Sequence, residues 1–307
     1  MKAIKHLRED KSPGPDSIHP MVLREAAVEV VKPLTLIFIQ SISQGVLPDD
    51  WKKANISPIH KKGPKDEAGN YRPVSLTSVV CKLLETIVKE QISAFLEEKL
   101  TISQKQHGFV KGRSCLTNLL EVFEHWTRSL DEGYGVDVVY LDYRKAFDTV
   151  PHQRLLTKLR NMGFGGGLMR WIGSFLSNRL MRVVVKGQFS SWSEVVSGVP
   201  QGSVLGPLLF LLYVNDLPDR IKTNIRMFAD DTKIWSQLSC PGEAVKLQED
   251  LDMLSEWSTR WLLKFNPQKC KLMYLRHSID MMYHITQDNQ EWNTLQSVQQ
   301  EKHLAVC

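Results

Sequence analysis

The chain has 307 residues, of which 42% are hydrophobic and 24% are charged, and its formal net charge is +5. This composition is typical of a globular protein and excludes a chain that is disordered throughout. The longest apolar run, residues 204–214, is about half the length of a membrane-spanning helix, so we expect no membrane partner. The charged N-terminus lacks a secretory signal, which predicts a nuclear or cytoplasmic protein that is not secreted.

The cysteine pattern argues against a disulfide framework and against a zinc site. The five cysteines are odd in number and widely spaced, and no Cys-x-x-Cys pair occurs. The chemistry must therefore be sought among other residue types.

The first part of the chain predicts helices and one basic hairpin. The expected elements are a loop over 11–16, a helix over 20–45, a strand over 54–60, a turn over 61–64, a returning strand over 72–76, a helix to about residue 100 and a helix over 115–130. Pro33 is expected to kink or divide the first of these helices. Thr77 or Ser78 is placed to cap the long helix that follows the hairpin.

The remainder alternates strands and helices. The expected elements are a strand over 136–142, helices over 151–161 and 168–176 around a Gly-rich turn, strands over 181–186 and 192–197, a buried helix over 205–215, a strand, turn and strand over 225–235, an amphipathic helix over 243–264 and a strand over 270–275. Residues 287–300 are rich in Gln and Asn without a clear period, so no structure is predicted there.

Acidic residues at the ends of two apolar strands are the strongest chemical signal. Asp142 closes the run Val138-Val-Tyr-Leu-Asp142, and Asp230 and Asp231 form the turn in Phe228-Ala-Asp-Asp231. Side chains alternate across a strand, so Asp230 and Asp231 point differently, and one of them can join Asp142. Carboxylates from adjacent strands suit a two-metal phosphoryl-transfer site, because Mg²⁺ prefers oxygen ligands. Alternatively, the Asp pair is only a turn and Asp142 only a strand end.

A stretch without acids is the second signal. Residues 149–193 contain no Asp or Glu, while Trp171, Phe175 and Trp192 lie among basic residues. Such a stretch predicts contact with nucleic-acid phosphates. The alternative is a solvated basic face. The residues proposed to bind nucleic acid are Arg154, Lys158, Arg170, Arg179, Arg182 and Lys186.

Ordered motifs along nearly the whole chain resemble the reverse transcriptases of non-LTR (LINE-type) retrotransposons, nearest the jockey-like branch. The motifs that resemble the family's catalytic region are Asp142-Tyr-Arg-Lys-Ala-Phe-Asp-Thr-Val150, Gly198-Val-Pro-Gln-Gly-Ser-Val-Leu-Gly-Pro207, Phe228-Ala-Asp-Asp231 and Leu263-Lys-Phe-Asn-Pro-Gln-Lys-Cys270. Those that resemble its N-terminal region are Gly14-Pro-Asp16, Asn70-Tyr-Arg-Pro-Val-Ser-Leu76 and His107-Gly-Phe-Val-Lys-Gly-Arg-Ser-Cys115.

The resemblance implies an α+β fold of the right-hand polymerase type. Fingers are expected over 1–130 and a palm over 135–275, the palm being a four-stranded antiparallel sheet backed by helices. Residues 276–307 are expected to be a degenerate or incomplete thumb-proximal tail, so that the thumb is absent or incomplete. No room is expected for the endonuclease that usually precedes this region in the family.

The same resemblance implies a set of site residues. Asp142 and Asp230 resemble the principal ligands of two Mg²⁺ ions, which Mn²⁺ can replace, and Asp231 resembles a second acid. Lys269 resembles a lysine proposed to protonate pyrophosphate, and Phe147 a steric gate that excludes the 2′-hydroxyl. Other residues are implied to bind substrate. Arg72, Lys61 and Lys62 are expected at the triphosphate, together with the backbone from Tyr143 to Ala146. Pro200, Gln201 and Gly202 are expected beside the incoming base.

The implied activity is RNA-directed DNA polymerisation, with an RNA template, a DNA primer and deoxynucleoside triphosphates as partners. One alternative is a catalytically silent, retrotransposon-derived remnant that binds nucleic acid or nothing. Another is an RNA-templated RNA polymerase, for which Asp148 would read the sugar. Phe147 and the Ala-Asp-Asp turn, where such enzymes have Gly-Asp-Asp, argue against the second alternative.

Overall fold

Helices and strands alternate in the computed structural model, which describes residues 1–99, 101–276, 281–286 and 292–299. The expected α+β class is confirmed. The helices are α1 (Lys2–Lys5), α2 (Pro20–Glu25), α3 (Ala27–Gln44), α4 (Val79–Glu98), α5 (Cys115–Asp131), α6 (Ala146–Thr149), α7 (His152–Asn161), α8 (Gly166–Leu176), α9 (Gly206–Val214) and α10 (Pro241–Trp261). The strands are β1 (Lys53–His60), β2 (Tyr71–Thr77), β3 (Gly135–Leu141), β4 (Arg179–Val185), β5 (Gln188–Phe189), β6 (Ser193–Val195), β7 (Asn224–Phe228), β8 (Asp231–Leu238), β9 (Lys271–Leu275), β10 (His284–Thr286), β11 (Trp292–Thr294) and β12 (Gln296–Ser297).

Two compact units divide the chain. The first contains residues 1–101 and 150–210, and the second contains residues 102–149 and 211–307. These units do not follow the order of the chain, and the expected ranges of fingers and palm, 1–130 and 135–275, stay predictions. Residues 102–130 group with the second unit because α5 packs on β3 and β7. Residues 150–210 group with the first because β4 pairs with β1.

A mixed sheet organises the first unit. The predicted basic hairpin is confirmed, since β1 and β2 pair antiparallel from Ala54↔Thr77 to His60↔Tyr71. Strand β4 joins the other edge of β1 in parallel and carries β5 and β6. Ser78 caps α4 by accepting a hydrogen bond from the backbone N–H of Cys81, at 3.2 Å. Pro33 does not divide the first predicted helix, because it lies inside the continuous α3, and the break falls at Ala26 instead.

A five-stranded sheet organises the second unit, in the order β12-β9-β3-β8-β7. Strand β3 is central and pairs antiparallel with β8 and β9. The predicted four antiparallel strands are present, but β12 adds a fifth, which pairs with β9 in parallel. The Gln- and Asn-rich stretch, for which no structure was predicted, supplies β11 and β12. Both strands are too short to show a period of hydrophobic residues, so the sequence pattern did not predict them.

Buried apolar side chains stabilise this sheet. Every residue of β3 except Tyr140 is buried, which is typical of a central strand with both faces covered. The core cluster between α5 and the sheet consists of Val122, Trp126, Val136, Val138, Trp235 and Met273. Helix α10 packs against β8.

The expected tail, 276–307, lies only partly within the described residues, where it forms β10, β11 and β12. In the parts of the chain that the structure describes, no helix is long and apolar enough to cross a membrane.

Candidate active site

The three acids lie at one end of two neighbouring strands in the second unit. Strands β3 and β8 pair up to Leu141↔Thr232, and Asp142 is the next residue after Leu141. Strands β7 and β8 pair up to Phe228↔Asp231, so that Ala229 and Asp230 form the tip of a two-residue hairpin. The strand register therefore brings the end of β3 beside the Asp230 turn, as the sequence predicted.

The charges of the acids act on one another. Desolvation of the Asp231 carboxyl group, followed by the negative charges of Asp230 and Asp142, raises the pKa of Asp231 to about 6. Alternation along a strand predicted that Asp230 and Asp231 would point differently, yet the Asp231 carboxylate is close enough to be repelled by both other acids. Asp231 also keeps solvent-exposed surface, so a cation can reach it.

Asp142, Asp230 and Asp231 offer carboxylate oxygens, the donor type that Mg²⁺ prefers. Within the described ranges, no three His, Cys, Asp or Glu side chains are gathered as ready metal ligands. Mg²⁺ is commonly bound by only one or two carboxylates together with water and substrate phosphates. The side chains that would hold it here are Asp142 and Asp230, with Asp231 beside them.

Lys269 lies beside the first acid. Its ammonium nitrogen is 3.6 Å from Oδ1 of Asp142. The backbone explains this proximity, because the N–H of Asn266 donates to the carbonyl oxygen of Asp142 at 2.7 Å, and the N–H of Lys269 donates to the carbonyl oxygen of Asn266 at 2.9 Å. Main-chain hydrogen bonds therefore hold the Lys269 backbone close enough for its side chain to reach Asp142.

The loop after β3 has fewer backbone donors available for a triphosphate than the sequence implied. The Arg144 N–H, within the segment 143–146 that was expected to bind phosphate, donates to the carbonyl oxygen of Lys264 at 2.8 Å. The Tyr143 ring is buried and stacks on Phe265, with ring centroids 4.6 Å apart. Ala146 is also buried. Tyr143 and Ala146 can therefore contribute to a ligand site only through their main chain.

The expected steric gate has an aromatic neighbour. The rings of Phe147 and Phe109 meet edge to face, with centroids 6.4 Å apart and an interplanar angle of 88°. Phe109 is 57% exposed and has a φ of +54°, a conformation that bulky residues rarely adopt. Strained backbone of this kind clusters at functional sites.

In the first unit, the residues implied to bind the triphosphate lie on the β1–β2 hairpin. Lys61 and Lys62 are exposed in its turn, and the Lys61 N–H donates to the Asn70 carbonyl oxygen at 2.8 Å. Arg72 is exposed and pairs with Ile59 across the hairpin. These cations are accessible to an anion.

The Pro200–Gly202 loop packs against the same hairpin. Gly202 has a φ of +94°, and a Cβ atom there would lie 2.5 Å from the carbonyl oxygen of Ser75. Only glycine fits this approach, and the neighbour it meets is the backbone of β2. Pro200 accepts a hydrogen bond from the Ser203 hydroxyl at 2.8 Å, and Gln201 stands between Pro200 and Gly202, partly exposed.

Glu85 supports the Pro200–Gly202 loop from its C-terminal side, and the sequence analysis did not predict this role. Its Oε2 atom accepts hydrogen bonds from the backbone N–H groups of Val204, at 2.7 Å, and Leu205, at 2.9 Å. The side chain is buried, and burial raises the pKa of Glu85. A signal was present, since Glu85 is an acid on the otherwise apolar face of α4.

Some cations of the basic stretch are buried, and others are exposed to solvent. Lys158 and Arg179 are each only 4% exposed, which contradicts their predicted contact with phosphate. Arg179 donates to the carbonyl oxygen of Phe175 at 2.9 Å. Arg182 is partly exposed, but its guanidinium group contacts Phe189 and Trp192 and donates to Oδ1 of Asn55 at 2.8 Å. The accessible members of the set are Arg154, which is partly exposed, and the exposed Arg170 and Lys186.

Residues 59–300 match the family described as reverse transcriptase (RNA-dependent DNA polymerase). Similar proteins of Drosophila melanogaster include the probable RNA-directed DNA polymerase from transposon BS, which is 34% identical over 279 residues, covering 88% of this chain and 31% of that protein. Others are the probable RNA-directed DNA polymerase from transposon X-element, with 32% identity over 87% of this chain and 30% of that protein, and the RNA-directed DNA polymerase from mobile element jockey, with 31% identity over the same shares. The chain thus spans about a third of the length of these relatives. The resemblance to jockey-like retrotransposon polymerases is confirmed, and the chain belongs to the reverse transcriptase family.

Proposed function

We propose that this chain is an RNA-directed DNA polymerase that adds deoxynucleotides to the 3′-hydroxyl of a DNA primer on an RNA template. Family membership supports the reaction class, and the relatives are named for this activity. The observation that carries the proposal is the strand register, which brings Asp142, at the end of β3, beside the Asp230 turn between β7 and β8.

Mutual repulsion among these carboxylates favours a cationic partner. Asp142 and Asp230 would hold two Mg²⁺ ions, for which Mn²⁺ can substitute, and Asp231 would add negative charge beside them. When bound, the ions would favour loss of the primer hydroxyl's proton and stabilise the negative charge of the leaving pyrophosphate. The carboxylates would fix the position of that positive charge, because both strand ends belong to one paired sheet.

Lys269 would act as the proton donor. Its ammonium group lies next to Asp142 and keeps most of its surface exposed, with 65% of the side chain accessible. This exposure and proximity support a role in which Lys269 transfers a proton to pyrophosphate as that group leaves. Phe147 would exclude a 2′-hydroxyl, because its ring is held edge to face by Phe109.

Residues of the first unit would bind the polyanionic substrates. Arg72, with Lys61 and Lys62, would grip the triphosphate, since a guanidinium group matches phosphate geometry. The loop from Pro200 to Gly202 would pack beside the incoming base. Arg154, Arg170 and Lys186 would contact template–primer phosphates, and Arg182 would contribute from between Phe189 and Trp192. In this interpretation the β1–β2 hairpin belongs to the fingers, and the five-stranded sheet belongs to the palm.

Primer extension tests the proposal directly. Purified chain, a poly-rA template, an oligo-dT primer, dTTP and Mg²⁺ should yield extended primer, and ribonucleotides should be poor substrates. Binding of template–primer without any extension, with Mg²⁺ or Mn²⁺, would favour the silent remnant instead. Preferential incorporation of ribonucleotides would favour an RNA polymerase.

A further inference from the structure

The segment around Gln106 is hydrogen-bonded to β7, the strand that leads into the Asp230 turn. The backbone N–H of Met227 donates to the carbonyl oxygen of Lys105, and the N–H of His107 donates to the carbonyl oxygen of Met227, both at 2.9 Å. These bonds form a parallel bridge between Gln106 and Met227. Asn118 reinforces it, because its Nδ2 donates to the same Met227 oxygen at 3.1 Å.

The Gln106 side chain binds the tip of the turn itself. Its Oε1 accepts from the backbone N–H of Ala229 at 2.8 Å, and its Nε2 donates to the carbonyl oxygen of Ala229 at 3.3 Å. The same Oε1 also accepts from the N–H of Gly108 at 2.8 Å. Gln106 is only 3% exposed, so water does not easily replace these bonds. One buried amide therefore satisfies both main-chain polar groups of the residue before Asp230.

Ala229 requires such support because its backbone is strained. It occupies the first central position of the two-residue hairpin and has a φ of +57°, whereas Asp230 does not have a positive φ. A positive φ at the first central position alone is the sign pattern of a type II′ turn, where glycine is usual. A residue with a Cβ atom adopts this region only at an energetic cost, because the Cβ atom crowds the backbone carbonyl oxygen. The Gln106 hydrogen bonds can offset this cost.

Gly108 allows the close packing on which these bonds depend. A Cβ atom at Gly108 would lie 2.2 Å from the backbone nitrogen of Ala229 and 2.9 Å from the carbonyl carbon of Phe228. No side chain fits there unless the turn or its neighbour moves. Gln106 and Gly108 thus act on the same peptide group, one by hydrogen bonding and the other by leaving space.

We propose that Gln106 is a positioning residue that holds the strained Ala229 backbone, and through it sets the place of the Asp230 carboxylate for divalent-cation binding. The role of the cation rests on the proposed function, but the positioning itself does not. Metal binding and amide exchange measure it without any polymerase activity.

The main test replaces Gln106 by Met, which keeps the volume of the side chain and removes its hydrogen bonds. Hydrogen exchange of the Ala229 amide should become about tenfold faster or more. Exchange of the Ile234 amide, in the middle of β8, reports wider opening of the sheet and should change less. The Mn²⁺ dissociation constant, measured from the electron paramagnetic resonance signal of free Mn²⁺, should rise about tenfold.

Two further variants separate positioning from a general loss of structure. Gln104→Ala alters an exposed glutamine of the same segment, one that accepts from Arg113 rather than from the turn, and should leave both readouts unchanged. Ala229→Gly removes the strain, so Gln106→Met should weaken Mn²⁺ binding less in that background. If Gln106→Met alone fails to fold, the comparison is made between Ala229→Gly and the double variant, where a small residual loss is expected.

Unchanged Ala229 exchange and unchanged Mn²⁺ affinity in folded Gln106→Met would overturn the proposal. An equal loss of Mn²⁺ affinity in the wild-type and Ala229→Gly backgrounds would also overturn it, because the strained backbone would then not be what Gln106 supports. A chain that shows both predicted effects yet never extends a primer would refute the polymerase function and leave the positioning role standing.

Discussion

The ammonium group of Lys269 lies 3.6 Å from a carboxylate oxygen of Asp142, although the two residues belong to separate loops of the second unit. The Lys269 side chain is 65% exposed, and exposed ion pairs contribute at most about 1 kcal/mol to stability. The pair therefore has little structural value. The proposed function gives Lys269 the role of a proton donor at this position.

We expect Lys269→Met to lower the rate of single-turnover nucleotide addition by about 100-fold, because a positioned general acid commonly contributes this much or more. Lys269→Arg should retain the cation but transfer its proton poorly, so its rate should fall between those of wild type and Lys269→Met. Template–primer affinity and the thermal unfolding midpoint should hardly change in either variant. Wild-type rates in Lys269→Met across the pH range would remove Lys269 from the mechanism.

Phe147 should control the choice of sugar. In Phe147→Ala the space beneath the incoming sugar opens, so the ratio of ribonucleotide to deoxynucleotide incorporation should increase about tenfold or more, given that steric discrimination of a small group is commonly about 10- to 200-fold. Single-nucleotide addition with matched rNTP and dNTP measures it. Phe123→Ala, an exposed phenylalanine on α5, is the control. An unchanged ratio in active Phe147→Ala would refute the gate.

The accessible basic residues should determine the salt dependence of binding. Each of Arg154→Ala, Arg170→Ala and Lys186→Ala should weaken template–primer binding and reduce the slope of log affinity against log salt by about one unit for each phosphate that is no longer neutralised. Arg8→Ala provides a control, because Arg8 is exposed and pairs with Asp10. Affinity and slope that survive combined substitution of all three would leave only a solvated basic face.

Glu85 should make stability depend on pH. Burial raises its pKa above the usual value of 4.5, so its contribution to stability is full below that value and is lost as the pH rises through the raised folded-state pKa. Glu85→Gln can keep an acceptor for the Val204 and Leu205 amides without a charge. The free energy of unfolding of the variant, relative to wild type, should therefore improve as the pH increases from about 4.5. Urea titrations across the acidic to neutral range measure this difference, and a difference that is flat or declines with pH would contradict the assignment.

Local patterns in the sequence predicted most elements that surround the acids. The apolar content of residues 136–142 and 225–235 predicted β3, β7 and β8, because a buried strand is mostly apolar. The Asp pair within 225–235 predicted the tight turn between β7 and β8. Adjacent placement of Asp142 and the Asp230 turn followed from the same patterns. The partition into units did not follow, since the pairing of β4 with β1 and the packing of α5 on β3 are long-range contacts.

Residues that support the Asp230 turn were harder to predict than the acids themselves. Gln106 acts through hydrogen bonds to the backbone of Ala229, 123 positions away, and such bonds leave no hydrophobic period. The one local sign was Gly108, because a glycine in an otherwise ordinary segment marks a close backbone approach. Burial of Lys158 and Arg179 was missed for a similar reason, since charge patterns along the chain do not distinguish a solvated cation from one folded inward.

The central claim is that Asp142 and Asp230 together support nucleotidyl transfer. Asp→Asn keeps the shape of each side chain and removes its charge. Single-turnover addition of dTTP to oligo-dT on poly-rA, with saturating Mg²⁺, should be at least about 100-fold slower in Asp142→Asn and in Asp230→Asn, because each would lose several kcal/mol of transition-state stabilisation. Template–primer affinity should be nearly unchanged, and Asp131→Asn, at the exposed end of α5, should behave as wild type. Near-normal addition by either Asp142→Asn or Asp230→Asn would contradict the mechanism.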